Sequence, residues 1–441
     1  MTFTITDFGA VGDGKTLNTA AIQNAIDACT AAGGGRVTVP AGKFLSGTIL
    51  LKSNVELHLE PGAELISSLD LADMPDLMGS FEDDNRDTGW EGGCFLLARH
   101  AENVTISGFG CIDGRGREVF YEDDDDGGSH ESPLKVRGYR PRMSFLEDVQ
   151  NLTVKDVTFR DAAFWTLHMA GCRNVLIDGI RIENNERGPN NDGIDPDCCQ
   201  NVIIRGCVIR CADDAIVVKT TAPMTKKYGP CCNILISNCI LRSHSSALKI
   251  GTETWGDIHH VTMSDCILSD CTRGIGIWSR DGGRVHDIMI HHISGNTRRY
   301  RDRVRQDSEV VVWWGKGDAL FLSATPRAGV ERLPGVIESV FLDNLHFVCE
   351  GAIMIAGEDA CPIRNVSIRD SSFLWKQQGS LVPDCLDEQP SKRGVYPHEV
   401  PMVYIRSAEA ISLEDNVSLR IDDSMKPYIR EAVISEQAFL K

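Results

Sequence analysis

One short pattern recurs along the chain and constrains its fold more than any other feature. A polar residue, often asparagine, precedes alternating β-branched residues and then a second short apolar run. The pattern reads NVTISGFGCIDG from Asn103, NLTVKDVTFRD from Asn151, NVLIDGIRIEN from Asn174 and NVIIRGCVIRC from Asn201. It continues as NILISNCILRS from Asn233, HVTMSDCILSD from His260, SVFLDNLHFV from Ser339 and NVSIRDSSFL from Asn365. From Asn151 the successive offsets to Asn174, Asn201, Asn233 and His260 are 23, 27, 32 and 27 residues. Such a period belongs to a solenoid of stacked single coils, none of which can bury its apolar face alone. No helical pattern separates the strands, which argues against βαβ units. The spacing predicts an all-β chain: a single-stranded, right-handed parallel β-helix.

The slots within each coil keep their identity. Six residues after the anchor stand Val157, Ile180, Cys207, Cys239 and Cys266. Strands in register about 4.8 Å apart would stack these side chains into an interior ladder. The sixteen cysteines are therefore read as buried free thiols, ahead of disulfides or a zinc site. LNTAAIQNAIDAC places Ile22, Ala25, Ile26 and Cys29 at helical spacing, with Asn18 or Thr19 as cap. A solenoid end exposes unpaired strand edges, and this helix is expected to cover them. One domain is expected over 1–441, with the N-terminal cap and first coils over about 1–65, the main solenoid over about 95–420 and a C-terminal cap over 421–441. Four stretches rich in charge, Gly or Pro interrupt the repeat, at 80–93, 115–142, 296–309 and 376–398. In a solenoid such insertions emerge as loops that wall the binding face.

Composition removes several function classes. With 63 acidic against 45 basic residues the net charge is −18, the wrong sign for a nucleic-acid partner. No apolar run reaches the roughly 18–20 residues that span a bilayer, so no membrane partner is expected. The opening MTFTITDFGAVGDG carries no basic and apolar leader pattern. Together with the thiols this predicts a cytoplasmic protein. The acidic run EDDDD at 122–126 lacks the ligand alternation of a calcium loop and reads as a solvated loop. No cofactor and no metal are expected, and the oligomeric state stays open.

Two consecutive coils concentrate carboxylates. GPNNDGIDPD holds Asp192, Asp195 and Asp197, and CADDAIVVKT holds Asp213 and Asp214. Asp192 and Asp213 are 21 residues apart, close to one coil, which predicts that they lie side by side. Crowded carboxylates repel, so at least one keeps its proton and can act as an acid. A protonated carboxyl facing ionised ones is the equipment for splitting a glycosidic bond. The plainer reading is that these acids cap turns.

At these residues the sequence resembles the polygalacturonase-type glycoside hydrolases of family 28, pectin-degrading right-handed parallel β-helices. The resemblance runs from DFGAVGDGKTLNTAAIQNAI through VPAGKFLSGTILLKSNVELHLEPGA into the solenoid. The family's N-T-D motif matches Asn190, Asn191 and Asp192, with Asp195 following, and its G-D-D motif matches Ala212, Asp213 and Asp214. The resemblance implies Asp213 as general acid and Asp192 and Asp214 as the pair that activates water. Two motifs depart. The family's G-H-G falls on Ser245, Ser246 and Ala247, and its R-I-K, which grips the galacturonate carboxylate, falls on Gly276, Ile277 and Trp278.

Other residues compete to fill those roles. Lys249, in the apolar strand ALKIG, is costly to bury unpaired and is a candidate substrate contact, the other reading being a structural ion pair. Arg280 lies just past the departed R-I-K motif. His168 in FWTLH is a candidate for the cleft or a satisfied core histidine, and His244 a candidate substitute for the missing motif histidine. Trp278 and Trp255 are candidate sugar platforms or loop packing. The run RRYRDRVR from Arg298 is either a solvated loop or an anion-gripping wall. These residues predict an inverting hydrolase, with the four insertions closing one end of the groove for exo-action on pectin-derived galacturonan or rhamnogalacturonan oligosaccharides. The terminal sugar is either neutral, such as rhamnose, or a uronate held by Lys249 and Arg280. A lyase or epimerase on the same solenoid, and a non-catalytic glycan-binding β-helix, are the alternatives.

Overall fold

The recurring anchor residues adopt the left-handed backbone conformation, and the turn they make begins each coil. In the computed structural model, which describes residues 1–74, 93–122, 133–300, 315–381, 383–414 and 416–440, the chain is a right-handed parallel β-helix. Its contacts divide it into two compact units, one of Met1–Asp123 with Leu134–Ala212 and one built on Asp213–Lys441.

In the first unit the anchors Asn54, Asn103, Asn151, Asn174 and Asn201 have φ of 62°, 55°, 59°, 55° and 58°. Asparagine tolerates this region because its short polar side chain bonds locally. Here the side chains also bond to one another. Each Nδ2 donates to the Oδ1 of the anchor one coil earlier, at 2.7 Å from Asn103, 2.9 Å from Asn151, and 3.1 Å from both Asn174 and Asn201. Three strand faces follow each turn. The anchor face stacks Val55–Leu59, Arg173–Asp178 and Gln200–Arg205, with the ends of two longer strands between them. The second face ends in Thr158–Arg160, Arg181–Glu183 and Val208–Cys211. The third face brings Leu167–Ala170 and Ile194–Asp197 into register, His168 opposite Asp195. Period-2 burial puts Val175 and Ile177 inside and leaves Asn174 and Leu176 further out.

Thr19–Ala31 forms the N-terminal helix and buries Ile22, Ala25, Ile26 and Cys29. Asn18 stands at its N-cap but does not cap it with its side chain. Its amide instead accepts from the Val11 N–H at 2.6 Å and donates to the Thr16 carbonyl at 2.6 Å, so it secures the preceding loop.

In the second unit the anchors Asn233, His260, Asp287, Ser339, Asn365 and Ala410 keep φ between 52° and 59°. The third face runs in register through Val217, Lys249, Gly276, Phe321, Met354 and Tyr404. Within 421–441, expected as a C-terminal cap, Val433–Leu440 lies parallel beside Val403–Leu413 and extends the sheet. The insertion at 376–398 contains an antiparallel hairpin of Cys385–Asp387 with Val395–Pro397. The one at 115–142 contains a ribbon of Phe120–Tyr121 with Lys135–Val136. Residues 123–126 of the acidic run, 301–305 of the arginine run and most of the insertion at 80–93 lie outside the described residues. No described helix is long and apolar enough to cross a membrane.

All sixteen cysteines are free, and all but Cys111 are buried. The ladder slots Val157, Ile180 and Cys207 of the first unit, and Cys239 and Cys266 of the second, are each no more than 2% exposed. Cysteine serves there as a small apolar filler whose S–H finds a local carbonyl: Cys207 donates to the Arg205 carbonyl and Cys239 to the Ser237 carbonyl. Titrating the denatured, unreduced protein with a thiol reagent should therefore return all sixteen thiols. A count near zero would contradict the packing.

Candidate active site

In the first unit the long turn entering the third face is built by amide side chains. Asn184 Oδ1 accepts from the Ala162 N–H at 2.9 Å, and its Nδ2 donates to Thr166 Oγ1 at 2.8 Å and to the Asn191 carbonyl at 2.9 Å. Asn191, fully buried, accepts from the Ala212 N–H at 2.9 Å, which fixes the turn against the start of the next coil. Asn190 sits in the left-handed region with φ 55° and accepts from Arg140 Nη2 at 3.0 Å. The Asp192 carbonyl accepts from the Thr166 N–H at 3.0 Å, so the backbone under that carboxylate is pinned. Asp192, Asp195 and Asp197 are all buried. That excludes solvated turn caps as their environment.

His168 is fully buried between charges. Its Nδ1 accepts from Arg142 Nη1, and its Nε2 lies 3.5 Å from Asp197 Oδ2. Its ring meets Trp165 edge-on at 4.9 Å, and the Arg142 guanidinium stacks 4.2 Å over that same indole. The sequence marks Asp197 as one of the crowded carboxylates but does not link it to His168, and nothing in it points to Arg142.

In the second unit two neighbouring carboxylates differ sharply in environment. Asp214 is buried and accepts three hydrogen bonds, from Lys249 Nζ at 2.6 Å, Ser245 Oγ at 3.0 Å and the Ser246 N–H at 3.3 Å. Asp213 is half-buried and accepts the Asp214 N–H at 3.0 Å. Its burial and the adjacent Asp214 carboxylate push its pKa up to about 6, against the opposing pull of Lys249 and Lys219. One carboxylate is thus held with a counter-charge and its neighbour is poised to carry a proton near neutral pH.

Lys249 also lies 4.7 Å from the centre of the Trp278 ring, so the salt-bridge reading describes its contacts. Trp278 explains why position 276 is glycine. A Cβ there would lie 2.2 Å from the indole Cζ3 and 2.4 Å from Cη2, so the ring fills the space a side chain would need. Trp278 is buried, packed on Phe321 at 4.8 Å beneath Leu386 and Val400. The ring does not present a face to solvent. Trp255 carries Arg332 at 4.6 Å over its ring, and His244 is buried with its ring 4.1 Å from Tyr300.

Arg280 has every N–H committed to the protein. Nε donates to the Pro390 carbonyl at 2.7 Å, Nη1 to the Ser279 and Ser323 carbonyls, and Nη2 to Ser323 Oγ and the Glu388 carbonyl. Its complete burial lowers its pKa to about 9. Arg273 works alongside it, donating to the Asp387 and Gln389 carbonyls at 2.8 and 3.2 Å. These two arginines hold the 385–397 hairpin onto the third face. Glu253, also missed, is held at about 2: burial alone would raise it, but Lys219, Arg327 and Lys249 together outweigh that. Lys219 in IVVKT repeats the cue that marked Lys249, a lysine inside an apolar strand.

Comparison with known proteins places these clusters in context. A model of glycosyl hydrolases family 28 matches residues 29–295. A probable polygalacturonase of Vitis vinifera is 30% identical over 311 residues, covering 67% of this chain and 61% of its own length. The exo-poly-alpha-D-galacturonosidase of Dickeya chrysanthemi is 28% identical over 337 residues, covering 65% and 54%. The alignments thus span roughly half to three-fifths of these relatives. Among solved structures, a hyperthermoactive exopolygalacturonase from Thermotoga maritima is 25% identical with TM-score 0.69, covering 95% of this chain and 92% of that one. A family 28 exopolygalacturonase from Yersinia enterocolitica shares the fold at TM-score 0.75 and 19% identity, covering 100% and 78%.

Proposed function

The chain belongs to glycosyl hydrolases family 28, and from that premise we propose that it is an inverting, exo-acting hydrolase of pectin-derived oligosaccharides. The observation that carries this reading is the unequal pair Asp213 and Asp214. Asp213, pushed up to about 6, gives its proton to the glycosidic oxygen as the bond to the anomeric carbon breaks. Asp214, ion-paired with Lys249, takes a proton from water as its oxygen attacks that carbon, and the resemblance to the family gives Asp192 the same role. Direct attack by water leaves the anomeric centre inverted.

Exo-action is supported by the clamped hairpin. Glu388 within it accepts from Arg406 Nη1 at 2.5 Å and Nη2 at 3.0 Å, from Tyr396 at 2.7 Å and from Thr325 at 2.8 Å. A loop held this firmly suits a fixed wall better than a mobile lid. The commitment of all Arg280 donors to the protein favours a neutral terminal sugar over a uronate. A cytoplasmic setting, where short fragments would be the substrate, is supported by the free thiols.

Time-resolved NMR on pectin-derived oligosaccharides tests the reading in one experiment. It should show a single monosaccharide released from one end, appearing first as the inverted anomer. Net retention would remove the mechanism, and mixed internal fragments would remove the exo-pocket.

A further inference from the structure

Three imidazoles and a carboxylate gather on the anchor face of the second unit, on two adjacent coils. His259 and His286 occupy the same position on neighbouring parallel strands, and their rings stack at 5.0 Å with planes 11° apart. His260 and Asp287 are the anchors that follow them, with φ of 52° and 54°. Each of these two anchors has its side chain against that of the residue before it. The result is two like pairs one coil apart: His259 Nδ1 lies 2.8 Å from His260 Nδ1, and His286 Nδ1 lies 2.8 Å from Asp287 Oδ2. The pairs meet where His260 Nε2 stands 4.0 Å from Asp287 Oδ2. The His260 and Asp287 side chains are 60% and 49% exposed, so an ion has direct access and the rings have room to turn.

From this geometry we propose that His259, His260 and His286, with Asp287, form a binding site for a divalent transition-metal ion of the zinc class. Imidazole and carboxylate donors suit Zn²⁺, Ni²⁺ and Cu²⁺ and are poor company for Ca²⁺ alone. A tetrahedral zinc with nitrogens about 2.0–2.1 Å away needs its ligand pairs about 3.4 Å apart. The His259–His260 pair at 2.8 Å reaches that by a small opening of two ring torsions. The third donor comes from His286 or Asp287 on the next coil once the exposed His260 ring turns over, because Asp287 Oδ2 stands 4.0 Å from its Nε2 and not from the Nδ1 that faces His259; water completes the shell. The ion would tie two successive anchor turns together. It binds the folded chain, whose turns bring these donors together, and so raises folded-state stability by mass action. It takes no part in glycosidic chemistry, since none of its ligands belongs to the clusters around Asp192 and Asp214.

The test uses the full chain without a polyhistidine tag, titrated calorimetrically with Zn²⁺ at pH 7.5 and melted with and without the ion. One site should bind, and Zn²⁺ should raise the melting temperature. His260→Ala and His286→Ala should each weaken binding by about tenfold or more, since changing a partner outside the coordination shell already costs that much. The zinc-dependent rise in melting temperature should shrink in both variants, while oligosaccharide hydrolysis without zinc stays unchanged. Absence of binding would overturn the site. So would binding that survives both variants, including binding lost only in His291→Ala, where His291 and His292 repeat the 2.8 Å pairing.

Discussion

Asp213→Asn should reduce hydrolysis by about 10²–10⁴-fold, the usual contribution of a positioned general acid, while leaving the protein folded. The amide keeps the shape of the acid and still accepts the Asp214 N–H, now seen at 3.0 Å. What it loses is the transferable proton. Stability should not fall at pH 7, and the sign follows from linkage. The folded pKa of about 6 lies above the ordinary 3.8, so ionised Asp213 costs the folded state free energy at neutral pH. A neutral amide removes that cost. Steady-state rates on oligosaccharides, with a thermal melt of the same sample, check both halves. A near-normal rate would remove Asp213 from the acid role, and a collapsed melt would make the rate uninformative about chemistry. In that second case Asp213→Glu, which keeps a proton to donate, separates the two: it should recover part of the rate.

The solenoid was legible because its cues are local and repeated. Each anchor must reach the left-handed region, so in the first unit asparagine returns once per coil, and the amide ladder from Asn54 to Asn201 adds a second reason for it. The cysteine slots are legible for a similar reason: a buried position facing the same slot one coil away admits only small or branched apolar groups. The polar constellations are less so, since they depend on pieces distant in sequence. Nothing near Arg280 signals that a hairpin more than a hundred residues later would take two of its five donor hydrogens. Gly276 looks like a deleted motif arginine, and only the fold reveals that Trp278 lies over it. Lys219 and Lys249 carry one and the same cue, a cation in an apolar strand, and only the second drew notice because it enters from the coil after the acids.

Lys249→Met should produce the largest loss of stability, about 3–5 kcal/mol, because it strands a buried charge. The Lys249 and Asp214 side chains are only 8% and 4% exposed and lie 2.6 Å apart. Methionine fills the volume of the lysine stem and keeps its packing on Trp278, so the loss reports charge and not a cavity. Denaturant unfolding of the single variants and of Lys249→Met with Asp214→Asn closes the cycle. The double variant should regain much of the loss, since replacing both members of a buried pair by neutral groups is far milder than removing one. Failure to regain it would mean that Lys249 supports the fold through something other than Asp214. The same substitution has a kinetic signature. Lys249 pulls the Asp213 pKa down from where burial and Asp214 would put it, so its removal should move that pKa above about 6. Because the acid works only when protonated, activity falls as pH rises through that value, and in Lys249→Met the alkaline limb of kcat/KM should move to higher pH. A limb that stays in place, in a variant that still folds, would show that Lys249 does not act on the acid and would leave the pair a structural one.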